Sequence, residues 1–190
     1  DAHLHAFNLI GVPAKPVRSI AQAEACTAFV LPGGESTTQL LLMQRAGFDV
    51  YLKARVQDNT PVWGTCAGAI VLSRHAKGLD TLNLIDLTVE RNAYGSQCES
   101  HIASIYTVEN QRKSLGQGLM IRAPRFTAWG SSVRPLAYTD HAQCVAVVSC
   151  RIVCMSFHPE LMGEGGWNWH AWFAHAALDD QNVFDGLGTA

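Results

Sequence analysis

Gly64-Thr65-Cys66-Ala67-Gly68 is the stretch from which the fold of this chain can be read. It follows Pro61-Val62-Trp63, a short apolar run suited to a buried strand, and precedes Ala69-Ile70-Val71-Leu72, which can begin a buried helix. Glycines two residues either side of Cys66 permit the crowded backbone of a nucleophile elbow, where a side chain is held up at the carboxyl edge of a sheet. The first amides of the following helix, and the positive end of its dipole, favour thiolate over thiol. A structural cysteine beside a tight turn has the same local letters, so other segments must decide between the two.

The upstream segment repeats the plan. Thr27-Ala28-Phe29-Val30-Leu31 reads as a buried strand that ends at Pro32-Gly33-Gly34, and Glu35-Ser36-Thr37-Thr38 supplies capping chemistry for a helix through Leu40 to Met43 that Gly47 closes. Two strand-turn-helix units predict a parallel sheet covered by helices, with ligands gathering at the carboxyl ends of the strands. Pro32-Gly33-Gly34 is a tight turn on its own; beside Cys66 it could form half of an oxyanion hole, the other half being the amide of Ala67.

The remainder is read in the same way. Asp1 to about Ile10 predicts a short helix with Leu4, Phe7 and Asn8 on one face, stopped by Gly11-Val12-Pro13. Ala14 to Ala25 is ambiguous between an extended stretch and a helical turn. After Gly78 come shorter β-like runs at Leu84 to Val89, Ile102 to Val108, Leu119 to Ile121, Val133 to Tyr138, Val145 to Val148 and Arg151 to Phe157. Trp167 to Leu178 predicts a final helix with a core-packing aromatic stripe, and Asn182 to Ala190 a weakly structured tail.

Composition narrows the partners. A chain of 190 residues with 48% hydrophobic residues can close one sizeable core, and residues 1–190 are expected to form one domain. A formal charge of −2, with 14 Lys and Arg, gives no general drive toward nucleic acid or anionic membrane, and a cytoplasmic protein is expected. The six cysteines, Cys26, Cys66, Cys98, Cys144, Cys150 and Cys154, have no zinc-ligand spacing and are expected to be free and mostly buried. His3-x-His5 without clear further ligands reads as an exposed helix face, so neither metal nor cofactor is expected.

Phe157-His158-Pro159-Glu160 supplies the missing base. In an extended segment residues two apart face one side, so His158 and Glu160 can address one cleft while Pro159 restrains the backbone. The carboxylate orients the imidazole, which takes a proton from Cys66 and returns it to a leaving amine. His-Pro-Glu alone is a common strand end; with the other two turns at one sheet edge it favours cysteine acyl transfer.

These segments resemble the class I, triad-type glutamine amidotransferases, and within them the branch that serves pyridoxal 5′-phosphate synthase. The resemblance runs in order through Leu31-Pro32-Gly33-Gly34-Glu35-Ser36-Thr37-Thr38, Gly64-Thr65-Cys66-Ala67-Gly68, Val89-Glu90-Arg91-Asn92, Ile121-Arg122-Ala123-Pro124 and Ser156-Phe157-His158-Pro159-Glu160. It implies a three-layer α/β fold of flavodoxin-like type with a mostly parallel central sheet and added antiparallel strands. It further implies hydrolysis of L-glutamine to glutamate through a γ-glutamyl thioester, with ammonia passed to a synthase subunit in a hetero-oligomer. Carried over by motif, Cys66 is the nucleophile, His158 the base and acid, and Glu160 its orienting carboxylate. Gly34, Glu35 and Ser36 match the glutamine-contacting turn, and Arg91, Ile121 and Arg122 the remaining substrate positions. The guanidinium of Arg91 suits the substrate α-carboxylate; an ordinary surface ion pair is its plainer role.

One departure accompanies the match. Members of this family open with an apolar strand and a Gly-Leu-Gln-Gly turn before their first helix, whereas this sequence starts at Asp1-Ala2-His3, so it is expected to lack that strand and turn. Alternatives to this reading are the glutaminase of another amidotransferase, such as that of imidazole glycerol phosphate synthase, a γ-glutamyl peptidase, and a non-catalytic interaction subunit.

Overall fold

A computed structural model describes residues 2–93, 100–107 and 114–178. Cys98, Val108 and the tail from Asn182 to Ala190 lie outside the described residues.

The first helix, α1 (Ala2–Leu9), buries His3, Ala6 and Phe7. The ambiguous stretch after it resolves into the single turn α2 (Ile20–Ala23), capped by Ser19. Strand β1 (Phe29–Leu31) leads to α3 (Ser36–Arg45), and α4 (Phe48–Gln57) follows directly. Gly47, expected to close one helix, also opens the next: at φ 73° it takes the left-handed conformation that glycine tolerates. Helix α4 escaped the sequence reading because Leu52 is its one buried residue, too thin an apolar stripe to show a period.

Strand β2 (Val62–Thr65) enters α5 (Ala67–Leu72), and the chain then becomes β3 (Ser73–Ala76), β4 (Ile85–Glu90), β5 (His101–Thr107) and β6 (Ser114–Met120). Next come β7 (Arg125–Trp129), β8 (Arg134–Thr139), β9 (Cys144–Ser149) and β10 (Ile152–Met155). A 3-10 helix at Pro159–Leu161 and α6 (Glu164–Leu178) complete the described chain. Strand β3 carries mostly polar letters, and neither it nor β7, a short run of mixed letters, was expected; both belong to a small second sheet, ordered β3-β4-β7.

The main sheet has the order β1-β2-β10-β9-β8-β5-β6. Its first three strands run parallel, with Leu31 opposite Gly64 and Thr65 opposite Met155, and the remaining four pair antiparallel. The parallel strands therefore carry the strand-turn-helix units, while antiparallel additions extend the sheet. Alternation sorts the core into two layers. Val62, Cys154 and Ile152 face one side with α3, α4, α5 and the small sheet, whereas Trp63, Val153 and Met155 face the other with Phe7, Trp169 and Phe173. The result is the expected three-layer α/β arrangement, but the central sheet is mixed rather than mostly parallel, with two parallel and four antiparallel pairings, because the added strands join it side by side. Among the described residues no helix is long and apolar enough to cross a membrane.

Candidate active site

Three chain turns converge at the carboxyl end of the parallel strands: β1 to α3, β2 to α5, and the segment after β10. Cys66 sits between β2 and α5 with φ 47° and ψ −105°, a conformation costly for a side-chain-bearing residue. Its amide donates to the Met155 carbonyl at 2.8 Å and its carbonyl accepts from the Ile70 amide at 3.2 Å, so the turn is locked at both ends. The flanking glycines are required by close approach. A methyl group on Gly64 would meet the Gly68 carbonyl carbon at 2.6 Å, and one on Gly68 would overlap the Leu31 carbonyl oxygen of the neighbouring strand turn. Only hydrogen at both positions lets β1, β2 and α5 close together.

The Cys66 side chain is 6% exposed, and its Sγ lies 3.8 Å from the Ile121 carbonyl oxygen, a long S–H contact. Burial pushes Cys144 up to about 12 and raises Cys154 as well, which leaves both protonated and inert. Among the described cysteines, Cys26, Cys66, Cys144, Cys150 and Cys154 are free; Cys150 is exposed rather than buried.

His158 and Glu160 are brought together, though by a different backbone from the one expected. The segment is not extended: His158 precedes the 3-10 helix, and its amide is tied to the Leu119 carbonyl at 3.0 Å. Tight winding at Pro159 turns the two side chains toward each other, and His158 Nδ1 donates to Glu160 Oε1 at 2.7 Å. Burial pulls the His158 pKa down, but hydrogen bonds to Cys66 and Glu160, with their negative charges, outweigh it and raise the value to about 10. Since Nδ1 is committed to Glu160, Nε2 is the nitrogen left for Cys66. Glu160 is buried too; its bond to His158 and the neighbouring imidazoles overcome the burial penalty and lower its pKa. Gly33 completes the enclosure, because a methyl group there would fall on the His158 ring.

The other predicted residues are distributed around this centre. Gly34 lies in the loop between β1 and α3, and Ala67 is the first residue of α5, where helix amides have no intrahelical partner. Glu35 caps α3, accepting from the Thr37 amide at 3.1 Å and the Thr38 amide at 2.6 Å, bonds that lower its pKa to about 2. Ser36 is buried at the start of α3. Arg91 reaches the same turn from the end of β4: its Nη2 is 3.3 Å from Thr37 Oγ1 and 3.7 Å from Glu35 Oε1. Ile121 is beside Cys66 through its carbonyl, while Arg122 is exposed at φ 45° in the following loop.

His3 corrects the reading of the His3-x-His5 pair. His5 is exposed, but His3 is 8% exposed and lies against Glu160: its Nε2 is 3.4 Å from Glu160 Oε2 and 3.1 Å from Thr65 Oγ1. Its Nδ1 is 2.9 Å from Nε2 of His170, which is also buried. The signal was present, since His3, Ala6 and Phe7 stand three and four apart on one helical face. No group of three or more His, Cys, Asp or Glu among the described residues is arranged to hold a metal ion.

With this geometry established, likeness to known proteins becomes informative. Residues 1–178 match the SNO glutamine amidotransferase family. A relative in Roseiflexus sp. (strain RS-1), named pyridoxal 5′-phosphate synthase subunit PdxT, is 39% identical over 163 residues, covering 84% of this chain and 86% of its own. The protein of the same name in Thermotoga maritima is 36% identical over 164 residues, covering 85% and 86%. A solved structure described as a glutamine amidotransferase superposes with a TM-score of 0.83 at 34% identity, covering 93% of this chain and 92% of that one.

Proposed function

This chain belongs to the SNO glutamine amidotransferase family, and from that premise we propose that it hydrolyses L-glutamine and delivers the ammonia to a synthase subunit that builds pyridoxal 5′-phosphate. It is a glutaminase of the class I type. The reading treats residues 1–190 as one glutaminase domain.

The observation that carries it is His158 held 2.7 Å from Glu160 while its hydrogen bond to Cys66 raises its affinity for a proton. In the reading, His158 already holds the Cys66 proton, as its raised pKa implies, and the Cys66 thiolate attacks the side-chain amide carbon of glutamine. The tetrahedral oxygen is received by the amides of Gly34 and Ala67. Collapse breaks the C–N bond, with His158 returning the proton so that ammonia leaves and a γ-glutamyl thioester remains. Water, deprotonated by His158, then releases glutamate and restores the thiolate. Glu160 keeps Nδ1 protonated and the ring aimed throughout. Arg91 is assigned the substrate α-carboxylate, supported by its place beside the Glu35 turn, with Ser36, Ile121 and Arg122 completing the glutamine site.

Ammonia release from glutamine, measured with and without the synthase, tests the reading. Low turnover alone and stimulation by the synthase are expected, because an uncoupled glutaminase would waste substrate. Cys66→Ala removes the sulfur and is expected to abolish turnover without loss of fold. Undiminished ammonia release by that variant would take Cys66 out of the reaction.

A further inference from the structure

The two oxygens of Glu160 have unequal company. Oε1 accepts from His158 at 2.7 Å. Oε2 is buried and makes no hydrogen bond of good geometry among the described residues, but it faces His3 Nε2 at 3.4 Å. Behind His3 the polar line continues: His3 Nδ1 to His170 Nε2 at 2.9 Å, then His170 Nδ1 to the Gly166 carbonyl at 3.2 Å.

Proton counting decides what this line can do. Its two ends, a carboxylate oxygen and a peptide carbonyl, only accept, and two neutral imidazoles carry one ring N–H each. Three contacts therefore share two protons. Burial lowers the pKa of both rings, that of His3 to about 4 despite the attraction of Glu160, so no third proton resides there near neutral pH. One contact must go without. Leaving the contact at Gly166 empty costs least, because that carbonyl lies inside α6 and has its intrahelical partner. Leaving Glu160 Oε2 empty would strand half of a buried negative charge. The proton therefore belongs on His3 Nε2, where Thr65 Oγ1 at 3.1 Å shares it.

We propose that His3 is a positioning residue for the triad: its Nε2–H backs the outer oxygen of Glu160, and His170, bonded to His3 Nδ1, fixes the tautomer. This rests on the glutaminase reading, and deepens it by running the charge line from Cys66 through His158 and Glu160 into α1. Without His3 the carboxylate is free to rotate away from His158, so the imidazole loses its aim while the glutamine pocket is untouched.

Two measurements test it. In the wild-type chain, two-dimensional long-range ¹H–¹⁵N spectra of the imidazoles at neutral pH are expected to show His3 protonated on Nε2 and not on Nδ1. The Nδ1–H form would overturn the proposal, and this observation requires neither activity nor a variant. In steady-state ammonia release, His3→Ala is expected to lower kcat roughly tenfold or more at unchanged KM. His3→Gln, whose amide nitrogen can reach the place of Nε2, restores most of it; His3→Asn, which reaches only the place of Nδ1, does not. Equal kcat in all three folded variants, or equal rescue by Asn and Gln, would refute the positioning role. Absence of ammonia release from the wild type would instead remove the glutaminase reading and leave the tautomer result standing by itself.

Discussion

Two of the three turns that meet at the site are built from different materials. The Cys66 turn is held by backbone: a strained φ, two backbone hydrogen bonds and glycines whose missing side chains let Leu31 and Gly68 touch. The His158 turn has backbone bonds of its own, from its amide to the Leu119 carbonyl and within the 3-10 helix, but its functional groups are placed by side chains, with Glu160, His3, Thr65 and His170 fixing one another. The first has nothing to adjust, since hard contacts between main chains either fit or do not. The second can be tuned, because each member can be replaced by a group of similar shape and different charge.

That contrast is broken most severely at the glycines. Gly68→Ala is expected to destabilise the fold by about 3 kcal/mol or more, since a methyl group against the Leu31 carbonyl must displace backbone. Chemical denaturation reads the loss; a variant within 1 kcal/mol of wild type would show the turn to be less rigid than argued.

On the side-chain half, Glu160→Gln keeps the shape and removes the charge. Turnover is expected to fall about 100-fold or more, while stability falls only by what the charge lends His158, less than at Gly68. A loss of activity out of proportion to the loss of stability at Glu160, but not at Gly68, is the sharpest form of the comparison. A stability loss at Glu160 as large as that at Gly68 would erase it.

Linkage to pH gives a further test of the same half. The folded-state pKa of His158 is raised from 6.5 to about 10, so its contribution to stability is complete below 6.5 and fades as pH rises toward 10. Cys66→Ala removes one of the partners that raise it. Its fall in stability above pH 6.5 is therefore expected to be smaller, and to level off at lower pH, than that of wild type, as measured by denaturation midpoints between pH 6 and 10.

The smallest effect belongs to the third turn. Glu35→Ala removes an exposed helix cap that binds two amides, a loss of about 1 kcal/mol. It also frees Arg91, so a change in KM for glutamine larger than the change in stability is expected if that turn contacts substrate. Equal and small effects on both would leave Glu35 a cap alone.

Much of the site was legible because its signals are local. Gly64-x-Cys66-x-Gly68 announces a turn that only glycine permits, and Pro32-Gly33-Gly34 announces a second at the next strand. What failed was whatever depended on a distant surface. Helix α4 lacked a wide apolar stripe, β3 lacked alternation, and β7 was too short a run to stand out; both strands are edges of the small sheet. His158 and Glu160 were paired correctly for the wrong reason: the expected strand alternation is replaced by a 3-10 turn after β10.

By itself, the sequence determined the parallel strand-turn-helix units, the cysteine at the elbow and the histidine and glutamate two residues apart, because backbone constraints act within a few residues. Only the tertiary structure decided that His3 lies against Glu160. That contact joins positions 157 residues apart, and it exists because α1 and α6 pack on the face of the sheet where Trp63, between them, leaves room for two imidazoles. A histidine carries no local mark that says whether it will meet water or a carboxylate; its burial does.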